Sequence, residues 1–154
     1  MSEILVRPAR TADVRAIREL VDTYSRDGRL LSKATVTLFE DIQEFLIAEL
    51  DGEVVGCGAL HVMWEDLAEV RTVAVAPAYA RRGIGSVLLT ALMERAREVG
   101  VQRVFCLTFM VRFFEAHGFV EIGETRVDHD VYQQLLQSYD EGVAEFLGLE
   151  RVKP

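Results

Sequence analysis

The sequence predicts an α/β protein built on one mixed sheet, and three observations carry that prediction. Three consecutive central segments, 45–50, 53–62 and 67–75, read as strands with tight-turn residues between the first two. A strand–helix–strand crossover follows, which needs a parallel pair. Helix-spaced apolar residues flank this centre on the N-terminal side.

The elements follow in order. Residues 3–7 alternate as a short strand. Thr11 is placed to cap a helix whose apolar positions Ile17, Leu20, Val21 and Tyr24 recur at helical spacing up to about Ser25. Gly28 stops that helix, Arg26–Ser32 is a polar loop, and Thr35 caps a second short helix through Leu38 and Ile42. Phe45–Leu50, Asp51-Gly52 and Glu53–Val62 form a hairpin, because Asp-Gly supplies the positive φ angles of a two-residue turn. Leu67–Val75 is a strand ended by Pro77. Gly83 opens a helix that places Ile84, Val87, Leu88, Ala91 and Leu92 on one face and ends near Gly100. Val101–Leu107 reads as a buried strand, Phe113–His117 as a short helix stopped by Gly118, and Phe119–Ile122 as a further strand. Val131–Leu136 and Asp140–Leu147 are helix-like. The order is β-α-α-β-β-β-α-β-α-β with a helical tail.

A chain of 154 residues fits a single domain spanning 1–154. Its 17 basic and 25 acidic residues give a net charge of −8, which argues against a nucleic-acid or membrane-surface partner. A few local cations still suffice for a small anionic ligand. No apolar run approaches the ~20 residues of a membrane span. The start, Met1 to Arg7, has no signal-peptide pattern, so a cytoplasmic protein is expected. Cys57 and Cys106 lie far apart in apolar runs and read as small buried residues of a reduced compartment, with neither a disulfide framework nor a metal site.

The most informative stretch runs from Val73 through Arg81, Arg82, Gly83, Ile84, Gly85 and Ser86. It is a strand, a turn, a basic pair, Gly-x-Gly and an amphipathic helix. Glycines let a backbone approach a ligand, and the N–H groups of a first helical turn bind anions. The arginines add charge where a phosphate would sit. A dinucleotide fold would place a third glycine where Leu88 stands, and a nucleoside triphosphatase would need Gly-Lys-Ser/Thr, which is absent. The competing reading is a pair of glycines shaping an ordinary strand–helix turn.

Preceded by three strands, this loop resembles the coenzyme A loop of the GNAT acetyltransferase superfamily, Arg/Gln-x-x-Gly-x-Gly/Ala. Here Ala80 stands at the first position. Further stretches are Cys57–His61, Glu69–Val75, Phe105–Phe109, Phe113–Phe119 and Ser138–Phe146. With the loop, they resemble the short, single-domain N-acetylglutamate synthases of actinobacteria over nearly the whole chain. The resemblance implies a mixed central sheet flanked by helices, with two strands splayed around acetyl-CoA. It implies acetyl transfer from acetyl-CoA to the α-amine of glutamate, the first step of arginine biosynthesis. Another small amine or amino acid as acceptor, or a non-catalytic acetyl-CoA sensor, are the alternatives. Acetyl-CoA and a small amino acid are then the partners, without a metal, and a homodimer is open as the assembly. Relatives carry acids at the positions of Met110 and Arg112, and continue past Val152–Pro154 into a polar turn and a final strand.

Acetyl transfer to an amine needs a base for the ammonium, a donor for the tetrahedral oxyanion, and stabilisation of the departing thiolate. Glu69, on the strand feeding the loop, is the candidate base; the plainer alternative is a strand acid paired with Arg71. By alternation Glu69 shares a face with Arg71, Val73 and Val75. His61 closes the neighbouring strand and is either part of a water chain or a structural histidine, while His117 and His129 read as exposed. The resemblance implies a main-chain oxyanion donor within Val73, Ala74 and Val75, where the pantetheine arm pairs. Many superfamily members place a tyrosine where Phe114 stands, so Phe113 and Phe114 are read as core and pantetheine packing. Thr108, where similar synthases carry Ser or Thr, is the candidate donor to sulfur. Lys33, Arg71 and Arg112 are the candidate cations for a dicarboxylate acceptor, each against a solvated charge.

Overall fold

The computed structural model describes residues 3–25, 34–107 and 110–121. Contacts divide the chain into two units, Met1–Cys106 and Leu107–Pro154. The first unit runs β1 (Leu5–Pro8), α1 (Val14–Ser25), α2 (Thr35–Glu40), β2 (Phe45–Leu50), β3 (Glu53–Trp64), β4 (Leu67–Val75), α3 (Ile84–Val99) and β5 (Arg103–Phe105). The sheet has strand order β1-β2-β3-β4-β5. Its first three pairings are antiparallel and the last, β4 with β5, is parallel, so the expected mixed sheet is present. The second unit contributes α4 (Val111–Ala116) among the described residues.

The hairpin forms as the Asp-Gly pair dictates. Asp51 and Gly52 have φ of 53° and 80°, the two positive values of a turn whose twist matches its strands. On one face of the sheet, Phe45 and Ile47 of β2, Cys57 and Ala59 of β3 and Ala74 of β4 pack with Val14, Ile17, Leu20 and Val21 of α1 and Leu38 of α2. On the other face α3 lies against β3, and it comes close because β3 carries glycine at two positions of that face. A Cβ on Gly56 would lie 2.9 Å from Leu88 Cδ1, and one on Gly58 2.9 Å from Leu92 Cδ1.

Several elements differ from the expectation. Thr11 does not cap α1; it lies inside a 3-10 turn, Thr11–Asp13, where the Asp13 carboxylate accepts the Arg10 N–H at 2.7 Å. Thr35 is the first residue of α2, whose cap position is Ala34. A second 3-10 turn, Ile42–Glu44, leads into β2. The buried stripe of α3 is Ile84, Leu88, Leu89, Leu92 and Ala96, while Val87 is exposed and Ala91 only half-buried. A stripe at 3.6-residue spacing drifts around the helix, and α3 enters it with Ile84. The segment Val101–Leu107 shrinks to the three-residue β5, whose residues are half-buried or exposed, because its pairing with β4 ends at Phe105. α4 starts two residues earlier than Phe113, and residues 119–121 form no strand; instead the Phe119 N–H closes the helix on Phe114 O at 3.0 Å. Gly28, the loop Arg26–Ser32, Ile122 and the expected helices at 131–136 and 140–147 lie outside the described residues.

Candidate active site

The site is organised by an irregularity in β4. Cys57 pairs with Ala74 and Ala59 with Arg71, so Thr72 and Val73 together oppose Gly58. This is a β-bulge, an extra residue in one strand. Thr72 carries it at φ 56°, a region sparsely used by β-branched residues and costing on the order of 1–3 kcal/mol. The buried Cys57 thiol donates to Thr72 O at 3.4 Å, and burial pushes that thiol up to about 12, so it stays a neutral donor.

The bulge corrects the expected alternation. Residues directly opposite one another project to the same face. Glu69 opposes His61, Arg71 opposes Ala59 and Ala74 opposes Cys57, which puts all three on the face of α1 and α2. Val75 opposes Gly56, and Val73 Cγ2 approaches the Gly58 position, so Val73 and Val75 lie on the α3 face. The sequence alternation grouped Glu69 and Arg71 with Val73 and Val75; the inserted residue at Thr72 separates them.

Glu69 and Arg71 form a tight pair, with Arg71 Nε donating to Glu69 Oε1 at 2.7 Å. Arg71 also reaches Met63 Sδ at 3.9 Å. Both members of the pair are largely buried. Beside them His61 Nδ1 lies 2.8 Å from Glu44 Oε2. Cys106 follows β5 close by, its thiol pushed up to about 12 by burial and by the Glu69 charge. Cys106 is half-buried, not enclosed as the sequence suggested.

Pairing between β4 and β5 covers Leu67–Glu69 and stops. From Val70 to Val75, β4 has β3 on one side and no described strand on the other. That stretch contains the bulge and the main-chain groups of Val73, Ala74 and Val75. Its end is fixed from two sides: the Tyr24 hydroxyl of α1 donates to Val75 O, and the Ala76 N–H donates to Val55 O at 2.8 Å.

The chain then turns through a 3-10 segment, Pro77–Tyr79, into the glycine loop. Arg81 and Gly83 have φ of 64° and 78°, and Gly83 is the cap position of α3 with no side chain to satisfy the helix. The first intrahelical bond runs from Val87 N–H to Gly83 O at 3.1 Å. The N–H groups of Ile84, Gly85 and Ser86 precede it, at the positive end of a helix of 16 residues. Such an end, with glycine permitting close approach, suits a phosphate. Arg81 and Arg82 are exposed, and the Arg82 guanidinium lies 5.2 Å over the Tyr79 ring.

The remaining candidates fall elsewhere. Lys33, Thr108 and His129 lie outside the described residues. Arg112 is exposed on α4, in the second unit. Phe114 is buried in that unit, with edge-to-face ring contacts to Phe113 at 5.1 Å and Phe119 at 5.2 Å. His117 is half-buried, not exposed; its Nδ1 donates to Phe113 O at 2.8 Å. Sequence reasoning missed Tyr24 as an anchor, Thr72 as a bulge and Glu44 as a partner of His61. Only the Gly56-x-Gly58 spacing offered a signal, since glycine at period two in a strand marks close approach of another element.

Comparison with known proteins identifies the class. The Acetyltransferase (GNAT) family profile matches residues 14–119, and the chain belongs to that family. It is 55% identical over 97% of its length to an amino-acid acetyltransferase of Mycobacterium tuberculosis, covering 87% of that protein. A crystal structure from Mycobacterium tuberculosis, in complex with CoA, is also 55% identical, with a TM-score of 0.85 over 97% of this chain and 92% of that one. The N-acetylglutamate synthase of Neisseria gonorrhoeae, complexed with coenzyme A and N-acetyl-glutamate, is 27% identical with a TM-score of 0.81. That match covers 92% of this chain and 34% of the synthase.

Proposed function

We propose that residues 1–154 act as one acetyltransferase domain that moves acetyl from acetyl-CoA to the α-amine of L-glutamate. The observation that carries this reading is the parting of β4 from β5 after Glu69, in the strand that runs directly into the glycine loop. One strand thus offers a buried carboxylate, an edge of main-chain groups and, at its end, the start of α3. The CoA-bound relative at 55% identity supports acetyl-CoA as the donor. The amino-acid acetyltransferase at 55% identity and the N-acetylglutamate complex support glutamate as acceptor.

In this mechanism the pyrophosphate sits on the N–H groups of Ile84, Gly85 and Ser86, with Arg81 and Arg82 supplying charge. The thioester lies along Val73, Ala74 and Val75, where a main-chain N–H receives the developing oxyanion. Glu69 takes a proton from the ammonium, and the neutral amine attacks the thioester carbon. The C–S bond breaks, and the thiolate takes the second amine proton, directly or through Thr108. Two protons leave nitrogen: one ends on coenzyme A and one goes to solvent. Lys33 and Arg71 hold the acceptor carboxylates, with Arg112 as a third cation, and Phe114 packs against the pantetheine arm.

The test is an amino-acid acceptor screen with thiol detection. Glutamate is expected to give the fastest release of coenzyme A. Preference for another amine overturns the acceptor, and coenzyme A binding with no acceptor-dependent release overturns the enzyme.

A further inference from the structure

We propose that Glu44 and His61 form the proton exit of the site, with His61 carrying the proton released at Glu69 and Glu44 positioning the imidazole. The proposal rests on the reading of Glu69 as the base.

Acetyl transfer must discharge a proton. An ammonium attacking a thioester loses two protons, and the thiol retains one. The other starts on a carboxylate whose side chain is 5% exposed, held by Arg71. A buried acid needs a route to water before the next turnover. His61 stands directly across the β3–β4 pair from Glu69, at a spacing that brings Cβ atoms to about 4.5–5.5 Å. The side chains of His61 and Glu44 are each 26% exposed. Exposure therefore rises from Glu69 to the pair, from interior to surface.

The pairing also sets the tautomer. An ionised carboxylate only accepts, so Nδ1 directs its hydrogen to Glu44 Oε2 at 2.8 Å, and Nε2 is the ring nitrogen left to exchange a proton. A proton leaving Glu69 forms the new N–H at Nε2, directly or across one water. The imidazolium is then held against Glu44, and the proton passes to bulk water, which restores the neutral ring. No electrons move. Among the described residues, His61 is bonded to Glu44 of the 3-10 turn before β2 and lies across the strand pair from Glu69 of β4, whose own neighbours include Arg71 and the Cys106 thiol after β5. The Cys106 thiol, pushed up by burial and by Glu69, does not compete for the proton.

A purely structural tether between that turn and β3 would make the same hydrogen bond, so the test reads proton traffic. His61→Ala, Glu44→Gln and Glu69→Gln are compared with the native chain. Coenzyme A affinity by calorimetry and thermal unfolding check that each is folded. His61→Ala is expected to lower kcat on the order of 10- to 100-fold, less than the ~10²–10⁴ of losing the first base, with the KM for acetyl-CoA unchanged. Added imidazole should restore the rate in a concentration-dependent way. Glu44→Gln, which can still accept the Nδ1–H, should lower kcat and make it depend on buffer concentration. A His61→Ala loss that ignores imidazole, or a Glu44→Gln rate equal to native in every buffer, overturns the exit. If Glu69→Gln keeps the native kcat while His61→Ala still answers to imidazole, the base assignment falls and the His61 route stands.

Discussion

Gly56→Ala tests whether the approach of α3 to the sheet is set by the missing side chain, and with it the position of the proposed anion site. The added Cβ would meet Leu88 Cδ1 at 2.9 Å, Ile84 Cγ2 at 3.2 Å and Ala74 O at 3.3 Å. Carbon atoms pack best at about 3.5–4.0 Å, so the Leu88 and Ile84 side chains, or the helix that carries them, must give way by roughly half an ångström. Ile84 and Leu88 are both fully enclosed, so displacing either presses on packed neighbours. Overpacking of this kind costs about 1–3 kcal/mol. For a domain of this size that is a fall in Tm of about 2–12 °C. Ile84 is also the first residue of α3, so coenzyme A affinity should weaken along with stability. Calorimetry of the single variants and of Gly56→Ala combined with Leu88→Ala supplies a double-mutant cycle. The pair should couple favourably by about 0.5–3 kcal/mol, since Leu88→Ala removes the nearest clashing atom. A Tm within 1 °C of native, together with additive effects in the double variant, would refute the packing argument.

Three further outcomes are expected. Glu69→Gln should lower kcat by ~10²–10⁴-fold with acetyl-CoA binding kept, and stopped-assay rates should recover as pH rises towards the amine's own pKa; a uniform loss at every pH would point to a displaced Arg71. Arg81→Ala combined with Arg82→Ala should weaken acetyl-CoA binding by ~1–3 kcal/mol by calorimetry, and an unchanged affinity would remove the arginines from the anion site. Arg7 holds the Asp13 carboxyl below the usual range through paired bonds of 2.8 and 3.0 Å, helped by the Arg10 N–H. An acid so lowered stabilises the fold above its unfolded value of about 3.9 and loses that stabilisation as pH falls through its folded value. Asp13→Asn should therefore be less stable than native at neutral pH and flatten the acid limb of urea unfolding curves; parallel acid limbs would count against the pair.

The sequence made most of the sheet legible because its turns are spelled in residues with few conformational options. Asp51-Gly52 and Pro77 fixed the ends of three strands, and the bounds of β2 and β4 agree with the reading residue for residue. Gly83 and Gly100 bracket α3, both at positive φ. What was hidden depends on contacts across the fold. Nothing in the local sequence marks Thr72 for a left-handed conformation; a β-branched residue there is stabilised by burial and by Cys57 fifteen positions away. Glu44 and His61 meet only because β2 pairs with β3. Of the candidate residues, the structure brings Glu69 and Arg71 into contact and joins them to Val73–Val75 and the glycine loop through one strand.

In the proposed mechanism the bulge is what lets a single strand serve both substrates. A regular strand carrying Glu69 and Arg71 on one face would keep Val73 and Val75 on that face too, so ionic and apolar groups would compete for one environment. Inserting Thr72 reverses the phase. Ahead of it, Glu69 and Arg71 face the side of α1 and α2; beyond it, Val73 and Val75 turn to α3, where Gly56 and Gly58 leave room. A bulge also bends its strand and increases the local twist. Parting from β5 after Glu69 precedes the bulge by only three residues, so the free edge and the change of phase occupy the same stretch of β4. The Tyr24 and Val55 contacts at the far end then hold the strand where it enters the loop. The strain at Thr72 is thus confined between two well-anchored stretches, a condition under which an unfavourable backbone angle persists; in the proposed mechanism that angle sets the main-chain groups that receive the oxyanion.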